Sequence, residues 1–368
     1  MAEIIKIALT GGPCAGKSTA IKYIYDVLTN QYGLSVAIID EVATKLFSEG
    51  KSPENMGNYE FHKLLFETQL SEENKIIAQY NQSNCDKVIL LCDRGLLDNR
   101  AFVTQDEFDR YAGLNNLSED LIRNSYDGVF HLVSASKGAE EFYSLENNEC
   151  RSESIEEARK LDDKIISIWT GTPHLRVIDN STDFNGKKER LLTEILALLG
   201  IPEPLEIERK FLIEYPNLET LKNLNACRGV AITQAYLNTP DEGMFRIRKR
   251  GKGENCAYIK TKKIKITDIK RIEIENYISK EEYNNYISNK KYITGIISKT
   301  RYCFVYNSTY YELDIYPFWN DKATIEIELL SEDQPYELPP FIKLIREVTF
   351  EKEYRNLSLA QKYFSVNE

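Results

Sequence analysis

Over the first 200 residues, short apolar runs alternate with longer amphipathic stretches. Runs of strand length fall at 4–10, 36–40, 87–92, 128–133 and 175–178, and helical patterning fills the gaps, as at 17–29 and 189–199. Strands alternating with helices predict a parallel sheet covered on both faces. The unbroken Val-Ile-Leu-Leu at 88–91 fits a strand buried on both sides.

The pattern changes at Gly200-Ile201-Pro202-Glu203-Pro204, a short proline-rich connector. From 205 to about 330 apolar positions recur every second residue, with tyrosine and isoleucine prominent, which predicts an antiparallel sheet or barrel. The expectation is therefore an α/β parallel-sheet domain over 1–200, followed by an α+β domain on an antiparallel barrel over 205–368. Two domains also suit a chain of 368 residues.

Composition narrows the function classes. With 42% hydrophobic and 28% charged residues the chain reads as soluble and globular. A formal net charge of −10 argues against non-specific coating of nucleic acid or anionic membrane. Seven scattered cysteines lack zinc or redox spacing, which predicts reduced thiols in a cytoplasmic protein. The three histidines are dispersed, and the N-terminal residues lack the long apolar run of a signal peptide or membrane helix.

The first strand runs into Gly11-Gly12-Pro13-Cys14-Ala15-Gly16-Lys17-Ser18, which satisfies G-x-x-x-x-G-K-[ST] between a strand and a helix. Small residues let backbone N–H groups close on phosphate at the helix N-terminus, with Thr19 in its first turn. Lys17 is expected on the outer phosphates and the Ser18 hydroxyl on magnesium, with ATP or GTP as the ligand. Asp40 and Glu41 end the second strand, and Asp93-Arg94-Gly95 ends the third, with Asp98 and Arg100 beyond. This is the sheet edge where ligands bind. Asp93 can hold magnesium or orient an acceptor hydroxyl, and Arg94 can pin an acceptor's negative charge.

These residues, with Glu41-Val42-Ala43, 151–162, Trp169 and Val177-Ile178-Asp179-Asn180, resemble P-loop nucleoside and nucleotide kinases. The resemblance is to the kinase-like ATPase family that includes ribosylnicotinamide kinase domains, over about 3–198. It implies Glu41 or Asp93 as the acceptor-side carboxylate, and an arginine-bearing lid near Arg151 and Arg159.

In the second half, charges pair at i and i+2, hence on one face of an extended strand. The pairs are Glu206/Glu208 with Lys210, Arg246/Arg248, Lys260/Lys262, Glu273/Glu275, Glu312/Asp314 and Glu326/Glu328. Apolar residues mostly stand between them, among them Ile207, Ile247, Ile274, Leu313 and Ile327. Like charges stacked along a face cost stability unless something neutralises them. Acidic pairs suit divalent cations and basic pairs suit phosphate.

Glu206-Ile207-Glu208-Arg209-Lys210 resembles the opening motif of the CYTH, or triphosphate tunnel, family. Further matches are Phe245-Arg246-Ile247-Arg248, Tyr258-Ile259-Lys260-Thr261-Lys262, Arg271-Ile272-Glu273-Ile274-Glu275, Lys299-Thr300-Arg301-Tyr302, Glu312-Leu313-Asp314, Glu326-Ile327-Glu328 and a closing segment at 348–356. Phe350 stands where that closing segment usually has glycine, a departure that bears on the turn near Lys352. The resemblance implies hydrolysis of a triphosphate with Mg2+ or Mn2+. Lys210, Arg246, Arg248, Lys260, Lys262, Arg301 and Lys352 would bind phosphates. Glu206, Glu208, Glu312, Asp314, Glu326 and Glu328 would hold metal, the last two acting directly in catalysis, while Glu273 and Glu275 orient the cations or complete the metal network.

Three readings follow. The first is an enzyme with two phosphate-handling sites. The second is a trafficking module that binds GTP and acidic phospholipid headgroups, since this domain order resembles that of eukaryotic photoreceptor-channel translocation proteins. The third is a cyclase of the CYTH type. The partners implied are nucleoside triphosphates and polyphosphates, with no strong sign of nucleic-acid binding.

Overall fold

The computed structural model describes residues 3–143, 154–202, 205–253, 255–265 and 270–364, without the side chains of 205–206, 263–265 and 270–273. It divides into two compact units, Met1–Thr193 and Glu194–Glu368.

In the first unit β1 (Glu3–Thr10) has its last six residues buried, as an apolar run flanked by strands requires. It lies between β3 (Lys87–Asp93) and β4 (Gly128–Leu132). With β2 (Val36–Ile39) and β5 (Leu175–Ile178) they form one parallel sheet ordered β2-β3-β1-β4-β5. The five strands stand where the hydropathy runs fall. The helix Lys17–Asn30 leaves β1 and buries Ala20, Ile21, Ile24, Val27 and Leu28. The helix Phe184–Leu198 starts before the amphipathic stretch does, because Asp183 Oδ1 accepts from the Gly186 N–H and satisfies its first turn. The order places β1 where the sheet switches direction, so the loop after it opens on the ligand-binding edge.

The second unit contains β6 (Leu205–Glu214), β7 (Cys227–Thr239), β8 (Gly243–Lys252), β9 (Asn255–Lys265) and β10 (Lys270–Tyr277). It continues with β11 (Ile293–Tyr306), β12 (Thr309–Ile315), β13 (Lys322–Leu329) and β14 (Leu344–Glu347). The antiparallel order is β10-β9-β8-β7-β11-β12-β13-β6-β14, and β10 also pairs with the start of β6. That pairing closes eight strands into a barrel and leaves β14 appended to β6. Closure removes the open edges an antiparallel sheet would expose.

Alternation then sorts the residues. The odd positions Ile207, Phe211, Leu313, Ile325 and Ile327 form an apolar cluster on one side. Ala235, Leu237, Phe245, Ile247 and Tyr258 form another, covered by Tyr283 of the helix Lys280–Ser288. The opposite face of β6, β8, β12 and β13 holds Glu208, Lys210, Arg246, Arg248, Glu312, Asp314, Glu326 and Glu328. Among the described residues no helix is long and apolar enough to cross a membrane.

Candidate functional site

The loop after β1 reaches its shape through Gly11 (φ 141°), Cys14 (φ 54°) and Gly16 (φ 82°), the last of which caps the helix Lys17–Asn30. Gly16 admits no side chain, since a Cβ there would lie 2.3 Å from the Phe184 ring. Pro13 and Ala15 complete the turn, and Ser18 and Thr19 open the helix. Lys17 is buried, and its ammonium donates to the carbonyls of Gly11 (3.0 Å) and Gly12 (3.1 Å). Burial and the nearby Arg94 bring its pKa down to about 8.

Asp93, the last residue of β3, accepts from the Ser18 hydroxyl at 2.7 Å on Oδ2, while its buried Oδ1 has no protein partner. Two hard-oxygen groups meeting at a phosphate loop, one with an orphaned lone pair, fit a magnesium ion. Burial raises the Asp93 pKa. Arg94 adopts φ 78°, a costly conformation for a residue other than glycine, and its guanidinium turns back over the loop to the Gly11 carbonyl. Its Nε donates to Glu41 at 2.7 Å and its Nη1 to Asp98 at 3.3 Å. Burial opposes ionisation of Glu41, but Arg94 and Lys17 overcome it and hold its pKa at about 2. Asp98 in turn accepts from Thr10 (2.6 Å) and the Trp169 indole (2.5 Å). Lys17, Ser18, Glu41, Asp93 and Arg94 thus converge at one sheet edge.

In the barrel, Arg301 is the hub. It donates to both oxygens of Asp314 at 2.7 Å, to Glu326 at 2.6 Å and to Glu312. Lys210 pairs with Glu326 at 2.6 Å, and Lys299 with Asp314 at 2.5 Å. The register explains the convergence. Arg301 faces Asp314 across β11 and β12, Glu312 faces Glu326, and Glu326 faces Lys210. Burial opposes the charge on Glu326, yet Lys210 and Arg301 keep its pKa well below the usual carboxylate range. Burial lowers Lys299 to about 8, with Arg301 adding to the effect. The closing segment secures Lys210 through its backbone. Thr349 accepts from its N–H at 2.9 Å, and the Val348 N–H donates to its carbonyl at 2.8 Å.

Along the same face Glu208 stands opposite Glu328, a like-charge pair of the kind a divalent cation neutralises. Arg246 and Arg248 both bind Glu275, at 3.1 and 2.7 Å. Asp314, Glu312 and Glu326 are turned onto cations, and among the described residues no three carboxylates converge into a metal cage.

Several expected residues fall elsewhere. Lys260 stands opposite Ile247 and therefore shares the outer face, where its ammonium meets Glu242, the Tyr286 hydroxyl at 2.8 Å and the Phe245 ring. Lys262 has the same parity and is exposed, so neither lysine joins Arg246 and Arg248. Thr261 takes that inner position, donating to Glu275 at 2.7 Å. The i/i+2 spacing correctly groups the two lysines but does not say which face they take. Lys352 is exposed in the short turn Lys352–Tyr354 and does not enter the buried cluster. Arg151 and the side chains of Glu206 and Glu273 lie outside the described residues. Arg159 donates to the Ser136 carbonyl at 2.6 Å and to Glu140 at 2.8 Å.

Three residues take on a role only with the fold. Lys299 carries the i/i+2 spacing with Arg301 that could have marked it. Lys187, buried and donating to Val133 (2.6 Å), Asn180 (2.7 Å) and Ala15 (3.4 Å), braces the loop from behind without a local signal. Asp162 reaches the loop from the helix Ile155–Trp169, likewise unannounced by its neighbours.

Fold and sites define a P-loop nucleotide-binding domain followed by a charge-lined antiparallel barrel domain. Residues 6–187 match the family model described as an AAA domain, and 204–363 the one described as a CYTH domain, so the chain carries these two domains in that order. No curated protein matches the sequence. Among solved structures, the chain is similar to the inorganic triphosphatase NE1496, at 28% identity over 42% of this chain and 94% of that one, TM-score 0.28. It is also similar to a Hippeastrum protein named as an adenylyl cyclase with a dominant triphosphatase activity, at 16% identity over 34% and 79%, TM-score 0.27. A third is the PH1819 protein from Pyrococcus horikoshii, at 19% identity over 35% and 80%, TM-score 0.28.

Proposed function

We propose that the barrel hydrolyses a triphosphate, inorganic or carried on a nucleoside or other organic group. The first unit, in this reading, binds ATP or GTP with magnesium at Ser18 and Asp93. The observation that carries it is the buried face on which Lys210, Lys299 and Arg301 meet Glu312, Asp314 and Glu326. A phosphate chain would draw the three cations from their carboxylates, exchanging one set of charge-assisted bonds for another. Arg246 and Arg248 would extend the grip along the chain from the far side of the face. The carboxylates so released, with Glu208 and Glu328 beside them, have the hard-oxygen chemistry to hold Mg2+ or Mn2+. A divalent cation there would neutralise phosphate charge in the transition state. Glu326, freed from Lys210 and Arg301, would orient the attacking water, and Arg301 would bear charge on the departing phosphate. In the first unit, Glu41 or Asp93 would serve the acceptor, should the nucleotide's phosphoryl group be transferred.

The test is phosphate release from tripolyphosphate by the whole chain with magnesium or manganese. Release that disappears in Glu326→Gln is the expected result. No release with either metal would end the hydrolytic reading, and cyclic AMP with pyrophosphate from ATP would replace it with a cyclase.

A further inference from the structure

The nucleotide loop has an anchor outside the phosphate-facing motif. Asp162, on the helix Ile155–Trp169, is 1% exposed and surrounded by donors. Its Oδ1 accepts from the Gly12 N–H at 2.9 Å and the Ser134 N–H at 3.1 Å, and lies 3.1 Å from His131 Nε2. Its Oδ2 accepts from Lys137 Nζ at 2.9 Å, and Lys137 also binds Asp163 at 2.6 Å. Burial opposes ionisation of Asp162, but His131 and Lys137 hold its pKa far below the usual carboxylate range.

The contact with Gly12 has a consequence for Lys17. A trans peptide is planar, so its N–H and C=O point in opposite directions. With the Gly12 N–H committed to Asp162, the Gly11 carbonyl of the same peptide must face the other way. It faces Lys17 Nζ at 3.0 Å and Arg94 Nη1 at 3.4 Å. Gly12 is needed for this approach, because a Cβ there would lie 2.9 Å from both the Cβ and Oδ1 of Asp162. Its φ is not in the left-handed region, so the backbone itself would accept alanine. Two further bonds hold the next peptides from the same side. The Ser134 hydroxyl donates to the Pro13 carbonyl at 2.5 Å, and the Ala135 N–H to that of Cys14 at 3.2 Å.

We propose that Asp162 is a positioning residue of the nucleotide site. Its carboxylate fixes the Gly11–Gly12 peptide so that the Gly11 carbonyl holds the Lys17 ammonium where the phosphates arrive. It acts through the loop and touches no phosphate itself. Without the acceptor, the Gly12 N–H is free to rotate into the site, carrying the carbonyl away from Lys17. The inference rests on the reading that this loop binds a nucleoside triphosphate.

The test is calorimetric binding of ATP and GTP, each with magnesium, to the whole chain. Asp162→Ala should weaken binding at least tenfold. Asp162→Asn, whose side-chain oxygen can still accept from Gly12 and Ser134, should restore it to within threefold of the parent. Gly12→Ala should also weaken binding at least tenfold, and the double variant Gly12→Ala with Asp162→Ala should be no weaker than the worse single variant. Unchanged affinity in Asp162→Ala, no rescue by asparagine, or losses that multiply in the double variant would overturn the proposal. Should Asp162→Ala fail to fold, Gly12→Ala decides, and parental affinity there overturns it. Parent protein that binds neither nucleotide would instead overturn the nucleotide reading beneath it.

Discussion

Lys17 shows how one residue's surroundings set a measurable property of the site. Burial leaves its ammonium with a pKa of about 8, so near pH 8 roughly half the molecules carry it neutral. A bound triphosphate brings negative charge to that group and raises its pKa, so binding at pH 8 should take up about half a proton. Calorimetry in buffers of different ionisation enthalpy measures this uptake. It should vanish at pH 6, where Lys17 is already charged, and in Lys17→Met if that variant still binds. Glu41 gives the opposite sign. Its pKa lies at about 2 against an ordinary 4.5, a difference worth about 3 kcal/mol of folding stability at neutral pH. Because the folded value is the lower one, that contribution is present above pH 4.5 and fades as pH falls towards 2. The melting temperature of Glu41→Gln should therefore approach that of the parent on acidification, and a constant gap across that window would contradict the pairing with Arg94. Both groups could be named from the sequence, since a phosphate loop fixes its lysine and a strand end exposes its carboxylate. Asp162 could not, because nothing within its own helix distinguishes it from Asp163 beside it. Only the fold brings Gly12 and Ser134 to one and not the other.

At the scale of the element, strand alternation was readable and strand facing was not. The five parallel strands appear in the sequence as apolar runs because burial on both sides leaves no room for polar residues. The barrel strands appear as alternating charge for the complementary reason. What period two leaves open is phase, and phase depends on which residue of the neighbouring strand stands opposite. On β8 and β9, Arg246 faces Thr261 and Ile247 faces Lys260, so a pair of lysines one position out of step takes the outer face. Burial also changes the meaning of a sign-segregated strand. The acidic β12 and β13 lie beside β11, with its Lys299 and Arg301, and beside β6, with its Lys210, so each strand's charge is neutralised by its neighbour. This yields a direct comparison. Arg248→Ala should lower tripolyphosphate hydrolysis roughly a hundredfold, the usual effect of removing one charge-stabilising donor. Lys260→Ala should leave turnover within about threefold, since losing an outer-face contact removes no donor from the reacting phosphate. Equal losses in steady-state assays would place Lys260 on the phosphate and refute the observed facing of β9.

On the scale of the whole molecule, the proposed reading gives the chain two solutions to the same physical problem. The P-loop meets phosphate with backbone N–H groups and a helix N-terminus, and needs few charged side chains because the peptide dipoles supply positive potential. The barrel, in that reading, would use the reverse strategy, with side-chain cations that pair with internal carboxylates. A net charge of −10 is compatible with both, because each site gathers its cations locally. The two domains were legible in order because their chemistries write different periodicities. The substrates were not, since a phosphate group looks alike to either site whatever it is attached to. Separate machinery predicts separable loss. Lys17→Ala should abolish ATP and GTP binding to the loop while phosphate release from tripolyphosphate stays within about twofold of the parent, as expected for sites that share no contacting residue. Glu326→Gln should do the converse, removing release while calorimetric nucleotide affinity is retained. Paired measurement of both activities on each variant decides the matter. If Lys17→Ala also removed tripolyphosphate hydrolysis in folded protein, the activity would belong to the loop and its magnesium, and the buried Arg301 cluster would have to be read as structural.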